Sequence, residues 1–174
     1  EGGDAGLGSI RGEKDVDITE WFFKAHFFQD PVQPGSLGIE AMIQVMQTLM
    51  LSQGLHERFE TPRFEPIMIE GETEWHYRGQ ITPTKTLISV DFQCQECVVE
   101  EDNTWIMGDA RLWGDGLKIY HAPRIGLRLV EDTLNLETHN KHHIEANWQG
   151  VRDYWISQSN QEHFLVHDIG TALI

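Results

Sequence analysis

The chain has 174 residues, enough for one domain or one domain with an appendage. Its 28 acidic and 13 basic residues leave a formal net charge of −15. That balance excludes nucleic-acid binding by phosphate neutralisation and argues against a polybasic membrane anchor; no run approaches the roughly 18 consecutive apolar residues of a membrane span.

The start, Glu1-Gly2-Gly3-Asp4, is neither a signal peptide nor an initiator Met, and reads as a piece of a longer chain. Residues 1–12 are rich in glycine and read as a loop entering a strand around Leu7–Lys14. The aromatic cluster Trp21-Phe22-Phe23 follows. Asp30-Pro31-Val32-Gln33-Pro34-Gly35 can be neither helix nor central strand, because proline lacks the N–H and fixes φ. Ser36 is a good N-cap residue, and an apolar series runs from Leu37 to Leu51 with Gly54 as a stop. The spacing predicts a helix over Ser36–Gln53, about 27 Å long at about 1.5 Å per residue. Its apolar positions cover nearly the whole circumference, which predicts an enclosed helix.

Period-two alternation then predicts strands through Trp75, Tyr77, Gly79 and Ile81, and through Ile88, Val90, Phe92 and Cys94. Further strands are predicted at Trp105–Trp113, Leu117–His121 and Ile125–Leu129, with turns at Glu100–Asn103 and Gly114–Gly116. The order gives an α+β architecture, one long central helix wrapped by a curved antiparallel sheet. Cys94 and Cys97 form a C-x-x-C pair inside a strand. Positions three apart in a regular strand face opposite sides, so a structural role is expected. Two unpaired thiols fit a cytoplasmic protein. Beyond Val130 the chain turns polar, with His139, His142 and His143, and residues 131–174 read as a linker or docking segment.

The chemistry concentrates in residues 21–44. His26 precedes a rigid turn in an aromatic setting. Glu40 lies one turn into the predicted helix, where a buried carboxylate is costly unless it is paired, protonated or at work. Gln44, four residues on, shares its face. Gly35 lies where a helix start leaves backbone N–H groups unpaired, a place that attracts negative charge. Taken singly, each residue also fits a plain structural role. Together they supply a base, an acid and an oxyanion site.

The run His26-Phe27-x-x-Asp30-Pro31-Val32-x-Pro34-Gly35-x-Leu37-Gly38-x-x-Ala41-Met42-x-Gln44 resembles the beta-hydroxydecanoyl-acyl-carrier-protein dehydratase family. The likeness continues through Gly79-Gln80-Ile81-x-Pro83, Ile106–Ala110 and Asp115-Gly116-Leu117-x-Ile119-Tyr120. Within the family the variant looks most like dehydratase domains of polyunsaturated fatty acid synthases and iterative polyketide synthases. The resemblance implies the hot-dog fold over residues 1–130, short of its first strand. It implies loss of water from (3R)-3-hydroxyacyl thioesters, giving trans-2-enoyl thioesters, with the substrate on the phosphopantetheine of an acyl carrier protein and no other cofactor or metal.

In that mechanism His26 takes the C2 proton, the Gly35 N–H holds the thioester oxygen and Glu40 protonates the departing hydroxyl. Gln44 and Ser36 support them, and Trp21, Phe27 and Phe28 help line an acyl tunnel. Relatives that also isomerise the product carry Asp at the position of Glu40, so isomerisation stays open. Sites of the family form between two hot-dog units, which implies a homodimer or a fused pseudo-dimer. A thioesterase and a non-catalytic partner unit are the competing functions on this fold. Carrier proteins are generally acidic too, so a carrier tethered in the same synthase is expected, with Lys24, Arg124 and Arg128 as a candidate basic patch.

Overall fold

The computed structural model describes residues 2–65 and 73–132, and the backbone of residues 166–167. Strand β1 (Ser9–Asp15) leads through a short helix α1 (Trp21–Ala25) to the long helix α2 (Gly35–Ser52). A 3-10 turn (Leu55–Arg58) and strands β2 (Pro62–Glu65), β3 (Glu74–Tyr77), β4 (Leu87–Val99), β5 (Asn103–Gly114), β6 (Leu117–Glu131) and β7 (Val166–His167) follow. All pairings are antiparallel, in the order β2-β6-β5-β4-β1-β7, and β3 pairs with β6. This is the hot-dog arrangement, α+β, with a curled sheet around one helix.

Helix α2 presents Met42, Ile43, Met46, Leu49 and Met50 to the sheet, all buried. Phe92, Ile106, Leu112 and Leu127 meet them from β4, β5 and β6. Burial of one such side chain contributes about 1.5–3 kcal/mol relative to exposure, so this row holds helix to sheet. The helix is not enclosed all round: Ser36 and Glu40 are exposed. The reason is the architecture. A single sheet wraps one side of a helix, and only another body can cover the other side.

The helix begins at Gly35 and is capped by Pro34, with no side-chain capping bond, so Ser36 does not cap it. Pro34 sits at φ −54 and ψ 135, so the chain enters the helix one residue early and Ser36 falls within the first turn. Gly54, at φ +70, ends it, donating to the Leu51 carbonyl at 3.0 Å.

Three strand expectations change. β3 stops at Tyr77, and Ile81, off the ladder, is fully buried with its carbonyl accepting from Gln33 N–H at 2.9 Å. That bond ties the loop before α2 to the segment after β3. The two predicted strands around Pro123 are one strand, β6, because the register shifts there against both β5 and β3 and the missing N–H falls in the irregularity. A bulge between Cys94 and Glu96 reverses the parity of β4. Cys94 is buried and Cys97 also packs against the core, so the two thiols share a face instead of opposing each other. Both are free, and burial pushes the Cys94 thiol up to about 12.

The sheet's far side carries charge. Arg11, Asp91, Arg111, His121 and His76 stand opposite one another in register across β1, β4, β5, β6 and β3. Arg11 bonds Asp91 at 3.0 Å, and His121 bonds Asp109 at 2.7 Å. The expected segment 131–174 lies outside the described residues, apart from Glu131, Asp132 and β7, which pairs with β1 at Arg11 and Gly12.

Candidate functional site

His26 follows α1 directly, and its N–H donates to the Phe22 carbonyl at 2.9 Å. Its Nδ1 lies 3.1 Å from the Val32 carbonyl oxygen. A carbonyl can only accept, so Nδ1 carries a proton, and the neutral tautomer that makes this bond has its lone pair on Nε2. The contact fixes the orientation of the ring. The loop that supplies this carbonyl is held in place. Val32 and Gln33 are buried, Gln29 turns the chain at φ +60, and Gln33 N–H is bonded to Ile81.

The loop ends at the start of α2. Leu37 N–H folds back onto the Pro34 carbonyl at 3.0 Å. The N–H groups of Gly35 and Ser36 take no partner among the described residues, as a helix start without a side-chain cap requires. Glu40 stands one turn further along and accepts from Gln44 Nε2 at 3.2 Å. The expected Glu40–Gln44 pair is present, but on an exposed face.

The aromatic residues divide. Phe23 is core, whereas Trp21, Phe27 and Phe28 are 61%, 55% and 92% exposed, so this chain alone does not enclose a tunnel with them. Five-residue α1 buries Phe23 and half-buries Phe22 against the core, and the rings on either side of this pair, Trp21 and Phe27, fall on the surface. Phe27 keeps contact with the imidazole, ring centres 4.1 Å apart.

Three rings that sequence reasoning passed over stand closest to the helix start. A side chain on Gly35 would meet Trp75 Cη2 at 3.0 Å and Tyr77 Cε2 at 3.5 Å. A Cβ on Gly38 would overlap the Tyr120 ring. Tyr120 is fully buried; Tyr77 stacks on it at 4.9 Å and Trp75 meets it edge-on at 5.6 Å. Burial, then the neighbouring Tyr77, pushes the Tyr120 phenol up, and its hydroxyl has no hydrogen-bond partner among the described residues. The available signal was the Gly35–Gly38 spacing, two side-chain-free positions that need something large beside them.

The expected basic patch does not form. Arg124 pairs with Glu96 at 3.2 Å and Arg128 with Glu65 at 2.6 Å. Lys24, Arg78 and Lys118 make no ion pair among the described residues. No group of His, Cys, Asp or Glu among the described residues could hold a metal ion, and no helix there is long and apolar enough to cross a membrane.

Residues 1–123 match the family model of the FabA-like domain. The chain belongs to the FabA-like domain family. Over 128 residues it is 32% identical to a much longer protein of Thraustochytrium sp., one of the polypeptides of its polyunsaturated fatty acid synthase. That match covers 74% of this chain and 9% of the synthase polypeptide. Among solved structures, a probable thioesterase from Bartonella henselae superposes with a TM-score of 0.50 at 9% identity, covering 70% of this chain and 91% of that one. A thioesterase superfamily member from Thermus thermophilus gives 0.47 at 13% identity, covering 84% and 93%. At 9% identity the Bartonella likeness concerns the fold alone. The FabA-like assignment covers both His26 and Glu40.

Proposed function

We propose that this FabA-like domain is a dehydratase of (3R)-3-hydroxyacyl thioesters carried on the phosphopantetheine of an acyl carrier protein, working within a fatty acid or polyketide synthase. The observation that carries the reading is the His26–Val32 bond, which leaves Nε2 as a fixed acceptor on the loop leading to the unpaired Gly35 N–H. His26 Nε2 takes the C2 proton of the thioester. The electrons of the C2–H bond move into an enolate, whose oxygen is held by Gly35 N–H. The enolate collapses to the C2–C3 double bond, and the C3–OH bond breaks as Glu40 gives the hydroxyl a proton. The products are water and the trans-2-enoyl thioester, and the proton on His26 returns to Glu40 through solvent to close the cycle.

One oxyanion donor is worth about 3 kcal/mol, and acid–base participation about 10²–10⁴-fold. The exposure of Glu40, Trp21, Phe27 and Phe28 fits a site completed by a second hot-dog unit, with His26 of one facing Glu40 of the other. Among the described residues, Lys24, Arg78 and Lys118 are cations without an ion pair that remain available to the anionic arm of the carrier. With so acidic a chain, tethering of that carrier replaces long-range attraction.

The test is incubation of the chain with the N-acetylcysteamine thioester of (3R)-3-hydroxydecanoic acid, followed by mass spectrometry. Loss of water that falls about 10²–10⁴-fold in His26→Ala supports the reading. Release of free acid and thiol would instead identify a thioesterase, and no turnover by a dimeric preparation would indicate a non-catalytic partner unit.

A further inference from the structure

Gly35 and Gly38 are three residues apart on the first turn of α2, and each faces an aromatic ring from the sheet. The Tyr120 ring occupies the space where a Gly38 side chain would be, and Trp75 comes to contact distance of Gly35. Trp75, Tyr77 and Tyr120 also pack on each other, with ring centres 4.9–5.9 Å apart. They lie on two strands, β3 and β6, paired at Tyr77 and Tyr120. The helix start has no side-chain cap, so its seat rests on these rings together with the loop that the Gln33–Ile81 bond holds. We propose that Tyr120, seated by Trp75 and Tyr77, is a positioning residue that holds the first turn of α2, and with it the Gly35 N–H, at the depth an oxyanion requires.

The inference rests on the dehydratase reading for its catalytic consequence, not for its structural content. The positioning is done by the ring. The Tyr120 hydroxyl has no partner among the described residues, so removing it leaves the contact with Gly38 intact. A donor misplaced by a fraction of a hydrogen-bond length loses much of its effect on the transition state and little of its effect on the ground state.

The experiment uses the full chain and the variants Tyr120→Phe, Tyr120→Leu and Trp75→Leu. Trp75 is 40% exposed, so its replacement keeps a folded variant available even where Tyr120→Leu does not fold. Two readouts are taken: kcat and KM with the N-acetylcysteamine thioester of (3R)-3-hydroxydecanoic acid, and the N–H residual dipolar couplings of Gly35 and Ser36 in 15N-labelled protein, which report backbone orientation free of ring-current shifts. Tyr120→Phe is expected to keep kcat within about twofold and leave these couplings unchanged. The leucine variants are expected to lower kcat by about tenfold or more with KM changed less than about threefold, and to change the couplings.

Leucine variants that lower the melting temperature but keep kcat and the Gly35 and Ser36 couplings would overturn the proposal, leaving the rings as plain core. A wild-type chain that dehydrates nothing refutes the functional reading alone. The couplings then still decide whether the rings position the turn.

Discussion

Gly38→Ala sets two elementary effects against each other, and they predict opposite signs. Inside a helix, alanine is favoured over glycine by about 1 kcal/mol, so propensity alone would stabilise the protein. The structure places the new methyl group inside the ring of Tyr120. That ring is fully buried and cannot retreat freely, because Tyr77 stacks on one side and Trp75 abuts it edge-on. Overpacking a core of this kind costs about 1–3 kcal/mol, and the enclosed ring argues for the upper end. The net expectation is a loss of about 2 kcal/mol, the overpacking cost less the propensity gain.

Urea unfolding followed by tryptophan fluorescence measures it, with the midpoint lowered and the slope unchanged. Adding Tyr120→Leu to Gly38→Ala is expected to recover part of the loss, since the two side chains compete for one space. A Gly38→Ala protein about 1 kcal/mol more stable than wild type would refute the packing argument and, with it, the close approach of Tyr120 to α2.

Three further outcomes are expected. Glu40→Gln keeps the geometry facing Gln44 but has no proton to give; turnover of the hydroxydecanoyl thioester should fall about 10²-fold or more while melting temperature stays within about 2 °C, the exposed side chain holding nothing up. Cys94, with its thiol pushed up to about 12 by burial, is expected to resist iodoacetamide at pH 8 for as long as the fold persists and to react at once in denaturant, as mass spectrometry would show. Asp115 accepts from the Thr86 hydroxyl and from the N–H groups of Leu87 and Thr86, which hold its carboxyl below the ordinary 3.8. A depressed folded-state value means stability that is present above the unfolded value and lost as pH falls through the folded one. Asp115→Asn should therefore flatten the acid limb of the stability–pH curve below about pH 4 and leave the neutral region's slope unchanged; an unaltered acid limb would show that these bonds do not distinguish the charged form.

Much of the protein was legible along the chain because the signals are local. Proline, glycine and apolar spacing bounded α2 to within a residue at each end, and alternation located β4 and β5. The run from His26 to Gln44 pointed to the family, since its histidine, Pro-Gly turn and helical glutamate lie close together in sequence.

What the chain alone did not decide depends on contacts between distant residues. The bulge at Cys94–Glu96 put both thiols on one face, and no local pattern marks it. Arg124 and Arg128 were spent on Glu96 and Glu65, partners 28 and 63 residues away. The exposure of Glu40 follows from a sheet that wraps only one side of α2. Tyr120 reaches Gly38 from a strand far along the sequence. The acidic balance met first, −15 over 174 residues, argued against one class of partner by charge alone. Only the tertiary structure decided which cations stay unpaired among the described residues, because pairing is set by distance in space.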